Sequence, residues 1–273
     1  IAFLFRTNLD ASYLAERLLK EKIPYQMKEK PYNPYDHFIA KDLLHYLHLK
    51  NGEYTLEHFI PVMNRPLRYI NRDAVDTCNN WIDFNKLSQF YSDKDYMKQN
   101  ILKLEYDLKR MQKMDIFAAI NYIRKGIGYD DFMNKKAIES GIRADEYMKM
   151  ADDIQNRMGE FACPEELQNH IDNYREHINR TTKSNSEKKK SGVHIMTYHA
   201  SKGLEFDTVF LPDCNEGIIP YRKSITNEEI EEERRLFYVA MTRAKEKLNI
   251  FYVDGDGDNR HLISRFVKEA KRL

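Results

Sequence analysis

The sequence has little of several things that would assign it to a specialised class at once. Cysteine is scarce: Cys78, Cys163 and Cys214 are odd in number and far apart. That excludes a disulfide framework and a cysteine-based zinc site, and fits a reducing, cytoplasmic setting. No apolar run approaches the roughly 20 residues of a membrane-spanning helix, and no signal peptide heads the chain, so no membrane partner is expected. Neither sign of charge dominates. With 44 basic against 43 acidic residues the formal net charge is +1, so any contact with nucleic acid must come from local patches rather than a general basic surplus. Missing too is G-x-x-x-x-G-K-[ST], the phosphate cradle of nucleotide hydrolases, and no strand ends in an acidic pair suited to magnesium. The chain by itself is therefore expected not to hydrolyse a nucleoside triphosphate.

What is present is a chain of 273 residues, 42% hydrophobic and 32% charged, enough to bury one large core or two smaller ones. Its opening residue, Ile1, falls within an apparent strand, so a piece of a longer protein is expected. Three short β-branched or aromatic runs read as buried strands: residues 193–197 (VHIMT), 207–211 (DTVFL) and 248–253 (LNIFYV). Between the first two lies the polar loop TYHASKGLE, with Gly203 as the turn. Ahead of the third, Thr226 and Glu229 have capping-box spacing, and the acids Glu228 to Glu233 suit a helix N-terminus. Leu236, Val239, Ala240 and Arg243 then recur at helical spacing, which predicts a helix carrying Arg243 toward its C-terminal end. Strand, polar loop, strand, helix, strand is the order of an α/β parallel sheet with its chemistry on the loops.

The stretch Thr197-Tyr198-His199-Ala200-Ser201-Lys202-Gly203-Leu204-Glu205-Phe206 and the stretch from Glu231 to Ala244 (EEERRLFYVAMTRA) resemble motifs V and VI of superfamily 1 DNA helicases of the UvrD/PcrA/Rep group. Near the start, Phe3-Leu4-Phe5-Arg6-Thr7-Asn8 followed by Ile23-Pro24-Tyr25 is similar to the segment of that group read here as motif IV. The resemblance implies a RecA-like lobe of the P-loop NTPase type, built from both chain ends. It also implies a 3′–5′ ATP-dependent helicase or translocase whose phosphate-binding and magnesium-binding groups sit on an N-terminal RecA-like lobe. By resemblance Arg6 and Arg243 are expected as arginine fingers on the γ-phosphate of ATP, Phe5 against the base and Glu205 near the sugar. Thr197, His199 and Lys202 are expected to face single-stranded DNA. Two other readings stay open: a DNA- or protein-binding module without the Walker A lobe, and the motor part of a helicase-nuclease.

The middle of the chain is less specific. Residues 35–50 form an amphipathic helical pattern with Ile39, Leu43, Leu44 and Leu47 inward. Its His37, His45 and His48 lack an adjacent carboxylate pattern, so a metal is not expected there. Arg65, Arg68, Tyr69 and Arg72 make a basic-aromatic cluster where relatives have a P-x-R-G-I-G hairpin against duplex DNA. Tyr69 and Asn71 replace both glycines, which argues against close backbone approach, while side-chain contact by Arg65 and Arg68 to junction DNA is expected. Residues 79–180 read as helical. The expected division is therefore 1–78 as the first part of the lobe, 79–185 as a helical accessory insertion and 186–273 as the second part of the lobe, with a polar linker at 181–192. The run Asp254-Gly255-Asp256-Gly257-Asp258 suggests a calcium loop, but Asn259 at the sixth position and Arg265 at the twelfth exclude an EF-hand.

Overall fold

The computed structural model describes residues 1–29, 32–141, 143–184, 192–254 and 262–271. Two compact units are present: Ile1–Asn33 with Tyr174–Leu273, and Pro34–Asn173. The first contains β1 (Ala2–Phe5), α1 (Asn8–Lys20) and β2 (Tyr25–Met27). The chain then forms α2 (Phe38–Lys50), α3 (Leu56–Val62), α4 (Arg72–Asp76), α5 (Phe84–Phe90), α6 (Asp95–Met111), α7 (Ile116–Lys125), α8 (Tyr129–Glu139), α9 (Ala144–Met158) and α10 (Pro164–Ser184). It ends with β3 (Val193–Thr197), β4 (Phe206–Leu211), α11 (Asn227–Met241), β5 (Ala244–Ile250) and α12 (Arg265–Ala270). Among the described residues no helix is long and apolar enough to cross a membrane. The expected linker overlaps the end of α10; its residues 185–191, and the Gly-Asp run from 255 onward, lie outside the described residues.

The first unit is an α/β lobe around a sheet in the order β2-β3-β1-β4-β5, with every pairing parallel. Strand residues alternate between faces, and here each face has its own cover. Ala2, Leu4, Met196, Tyr198, Val209 and Leu211 pack with Leu236, Phe237 and Ala240 of α11 and Phe266 of α12. On the other face Phe5 and Ile195 pack with Ala11, Ala15 and Leu18 of α1. Thr226 and Glu229 close the expected capping box: Glu229 N donates to Thr226 Oγ1 at 3.2 Å and Thr226 N donates to Glu229 Oε2 at 2.9 Å.

Two boundaries differ from the sequence expectation. Helix α11 stops at Met241, so Arg243 stands just past the helix end instead of within it. Strand β5 begins at Ala244 and ends at Ile250, earlier than the apolar run at 248–253. Sheet register decides this: Ala244 pairs with Phe206 and Lys247 with Thr208. As an edge strand, β5 needs backbone partners more than apolar side chains, and its lysines sit harmlessly in solvent.

Within the second unit, α2 packs on α3, α6, α7 and α9. Residues 34–78 thus group with the helices, whereas the sequence division put them with the lobe. The cause is the apolar content of α2, whose Ile39, Leu43, Tyr46, Leu47 and Leu49 are all fully buried in this unit. Buried Asp42 accepts from Tyr129 Oη at 2.7 Å and from Arg65 Nη1 at 2.5 Å. The segment after α3 is held from inside by Arg68. Its Nη1 donates to the carbonyls of Val62, Met63 and Pro66 at 3.0–3.2 Å, and its Nη2 donates to Tyr46 Oη at 3.0 Å. Arg68 is 7% exposed, so the expectation that it reaches DNA is corrected: its donors organise this loop. Tyr69 adopts a left-handed backbone with φ 60°, a conformation that glycine takes more readily.

If Arg68 is an internal brace, Arg68→Ala removes the guanidinium donors from the carbonyls of Met63 and Pro66 and one donor each from Val62 O and Tyr46 Oη, which keep their bonds to the backbone of Arg65. Urea denaturation should show a loss of about 3 kcal/mol. A stability within 0.5 kcal/mol of the parent, the range of ordinary surface substitutions, would contradict the assignment.

Candidate functional site

Because all strands of the lobe run the same way, their C-terminal ends share one edge and their N-terminal ends the other. At the C-terminal edge, β1 leads directly into Arg6. The Arg6 guanidinium meets Glu233 of α11, with Nε at 2.9 and 3.1 Å from the two carboxylate oxygens and Nη2 at 2.6 Å. Glu233 is 5% exposed and also accepts from Tyr221 N at 2.9 Å, while the Arg6 guanidinium lies 5.1 Å from the Tyr221 ring centroid. The Glu233 hydrogen bond raises the Arg6 pKa beyond its usual value. Thr7 caps α1 and bonds Asp10 (2.6 Å). Burial pushes both Asp10 and Asp213 above the usual carboxylate range, and pushes the neighbouring Cys214 thiol up to about 12.

From the same edge, residues 198–205 return over the α11-covered face to the start of β4. Thr197 is buried and its Oγ1 accepts from Ala200 N at 3.2 Å. Ser201 Oγ donates to Tyr198 O at 2.6 Å, and Lys28 Nζ donates to Ala200 O at 2.9 Å. Gly203 adopts φ 81°, the left-handed turn expected of it. The pinned residues point inward. His199 and Lys202 are exposed, with Lys202 N bonded to His199 O at 3.2 Å.

The opposite edge holds Glu205 and Arg243. Phe206 N donates to Arg243 O at 2.9 Å, and Arg243 Nη1 donates to Leu204 O at 3.1 Å. Arg243 Nε caps the helix end through Val239 O (2.8 Å), and Nη2 bonds Thr242 Oγ1 (3.0 Å), the place where a cation complements the helix dipole. Glu205 is exposed, with Lys245 Nζ 3.9 Å from its carboxylate.

The structure thus brings Arg243 together with Glu205, and His199 with Lys202. It does not bring Arg6 to Arg243. Arg6 is held at Glu233 and the Arg243 guanidinium folds back to Val239, six residues on, which at helical rise is about 9 Å along α11. Arg6, expected with Arg243 on the γ-phosphate, is here bound to a buried carboxylate. Phe5 is corrected as well. At 4% exposure it fills the core beneath α1, so it has no face to offer a base.

Glu233 and Tyr221 are the residues that sequence reasoning missed. The signal was available for Glu233: with Leu236, Phe237 and Ala240 it lies at i, i+3, i+4 and i+7, the buried stripe of α11. A carboxylate on such a stripe needs a cation. Arg65, in the second unit, pairs with Asp42 but keeps 40% of its side chain exposed.

Comparison with known proteins agrees with this architecture. Residues 1–255 match the family model of the UvrD-like helicase C-terminal domain. The chain is 30% identical to the ATP-dependent DNA helicase Rep of Buchnera aphidicola subsp. Acyrthosiphon pisum, over 92% of this chain and 41% of that protein. It is 30% identical to the ATP-dependent DNA helicase PcrA of Staphylococcus epidermidis and 29% identical to PcrA of Staphylococcus aureus, in each case over 98% of this chain and 39% of the relative. The chain therefore spans about two fifths of the length of these curated relatives. With an all-parallel five-stranded lobe, the motif loops at its edges and a family match over most of its length, the chain belongs to the UvrD-like helicase C-terminal domain family.

Proposed function

We propose that the chain is the second RecA-like lobe, with a helical accessory unit, of an ATP-dependent 3′–5′ DNA translocase. The observation that carries this reading is that Arg243 is bonded to both chain neighbours of Glu205, through Leu204 O and Phe206 N, at one edge of the sheet. Arg243 makes three side-chain hydrogen bonds from a half-buried position. A guanidinium has five N–H donors, so two remain for phosphate oxygens. Such a cation supplies rate when a second lobe closes with nucleotide in place, which couples hydrolysis to lobe motion. Glu205, one residue before β4, suits the hydroxyls of a ribose.

The residues around Arg243 do not fit a magnesium site. One exposed carboxylate, Glu205, is at hand, and it already leans toward Lys245. The phosphate cradle and the magnesium ligands are accordingly assigned to an N-terminal lobe, and the chain alone is expected to be inactive toward ATP. His199 and Lys202, on the exposed turn, are assigned to single-stranded DNA, Arg65 to junction DNA, and the binding to backbone phosphate and base stacking without sequence preference. The three cysteines form no disulfide, in keeping with a cytoplasmic protein.

In the protein joined to its N-terminal lobe, Arg243→Ala should lower kcat for DNA-stimulated ATP hydrolysis by about 10³-fold or more while DNA affinity is retained. An unchanged kcat would remove the finger role. Arg6→Ala should instead lower stability by about 3 kcal/mol, because Glu233 is left buried without its partner; a thermally unperturbed Arg6→Ala protein with abolished turnover would restore Arg6 to the phosphate. For DNA, Lys202→Ala should weaken single-strand binding alike for all sequences and reduce the salt dependence of log K by about 1. Fluorescence anisotropy across a salt series reads this directly, and an unaltered slope would place Lys202 off the strand.

A further inference from the structure

Outside the lobe, the helical unit brings four ligand-type side chains to one hairpin. His45 and His48 stand at i and i+3 on the last turns of α2, one face of that helix. Gly52, with φ 88°, lets the chain reverse, and Glu53 N bonds back to His48 O at 3.1 Å. Thr55 caps α3 and sets His58 in its first turn. The side chains converge as a result. Glu53 Oε2 lies 3.0 Å from His48 Nδ1 and 3.7 Å from His58 Nε2. One ligating atom from each of His48, Glu53 and His58 falls within 4.8 Å of the other two.

Four-coordinate zinc, with bonds of 2.0–2.1 Å, sets its ligand atoms roughly 3.3 Å apart. The two measured distances to the carboxylate bracket that value, so the hairpin already has the span of a metal site. One adjustment is required. The His48 and His58 rings are stacked with centroids 4.1 Å apart and planes 5° apart, and lone pairs in parallel planes do not converge. Binding therefore requires the His48 imidazole to turn about its Cβ–Cγ bond, which leaves the His45–His58 contact in place. The Glu53 side chain is 41% exposed, which leaves that point open to solvent and to a water as fourth ligand.

The other ring nitrogen of His58 is also engaged. Its Nδ1 lies 3.2 Å from Nδ1 of His45, a contact that requires one nitrogen to donate and the other to accept. With His58 donating, its Nε2 is bare and faces Glu53. That is the relation by which an outer partner fixes the tautomer of a metal-bound histidine. Two imidazoles and one carboxylate select borderline divalent ions such as zinc over magnesium or calcium.

We infer that His48, Glu53 and His58 form a site for a zinc-class divalent cation that fastens the α2–α3 hairpin of the helical unit, with His45 as a positioning residue. On binding, the proton on His48 Nδ1 leaves to solvent or passes to Nε2, and the carboxylate exchanges a hydrogen bond for a metal bond. The site belongs to the second unit alone and does not depend on the translocase reading of the lobe.

The test is titration of the metal-free chain with zinc by calorimetry, together with the visible spectrum of the cobalt-loaded chain. The parent should bind one zinc at this site, show the intense d–d bands of four-coordinate cobalt, and rise in Tm with zinc. Glu53→Gln and His58→Asn should abolish uptake, His45→Gln should weaken it by about 10–100-fold, and Cys163→Ser should leave it unchanged. Absence of zinc uptake by the parent would overturn the site, as would uptake unaltered in both Glu53→Gln and His58→Asn, or a six-coordinate cobalt spectrum. The parent spectrum and Tm shift decide the matter even if a variant fails to fold.

Discussion

The lobe depends on one buried carboxylate. Glu233 is almost fully withdrawn from water and takes hydrogen bonds from Arg6 and from the backbone of Tyr221. Isolated, a charge so placed would cost several kcal/mol; paired and hydrogen-bonded it is tolerated. The pair joins three separate parts of the chain: the end of the central strand β1, the segment before α11, and α11 itself. It also determines what the arginine is free to do. A side chain that neutralises an interior acid and lies over a tyrosine ring is not available to a ligand on the far edge of the sheet.

That constraint sets apart the two edges of the sheet. The C-terminal edge carries the Arg6–Glu233 pair, two carboxylates whose pKa values burial raises, and the exposed turn of His199 and Lys202. The N-terminal edge carries Glu205 and Arg243, with the guanidinium folded onto the end of α11. Motif residues adjacent in sequence therefore separate in space, and motif residues far apart in sequence meet.

How much of this was legible from the sequence follows from the physics of each residue. The strands β1, β3 and β4 were readable because each is a short run of mostly β-branched, aromatic and other apolar residues. The start of α11 was readable because Thr226 and Glu229 satisfy each other locally. Strand β5 was misplaced because its position is set by register with β4, a non-local property. Phe5 and Arg68 were read as surface ligands, and both are interior. An arginine in a polar loop gives no local sign that three carbonyls of its own loop turn toward it. The His48–Glu53–His58 cluster was invisible for a related reason: the carboxylate comes from the turn after α2 and the second imidazole from the next helix.

The link between β3 and β4 has a mechanical consequence. Residues 198–205 leave Thr197, level with Phe5, and must reach Phe206, level with Ala244 at the other edge. Six strand residues of offset amount to roughly 20 Å, and a nine-step chain spans at most about 30 Å when fully stretched. The spare length is coiled into turns and pinned through Ser201 and Ala200, so it is held by hydrogen bonds rather than left loose. A displacement of His199 reaches Glu205 through those bonded turns, so breaking them, rather than stretching the chain, is what would uncouple the two ends.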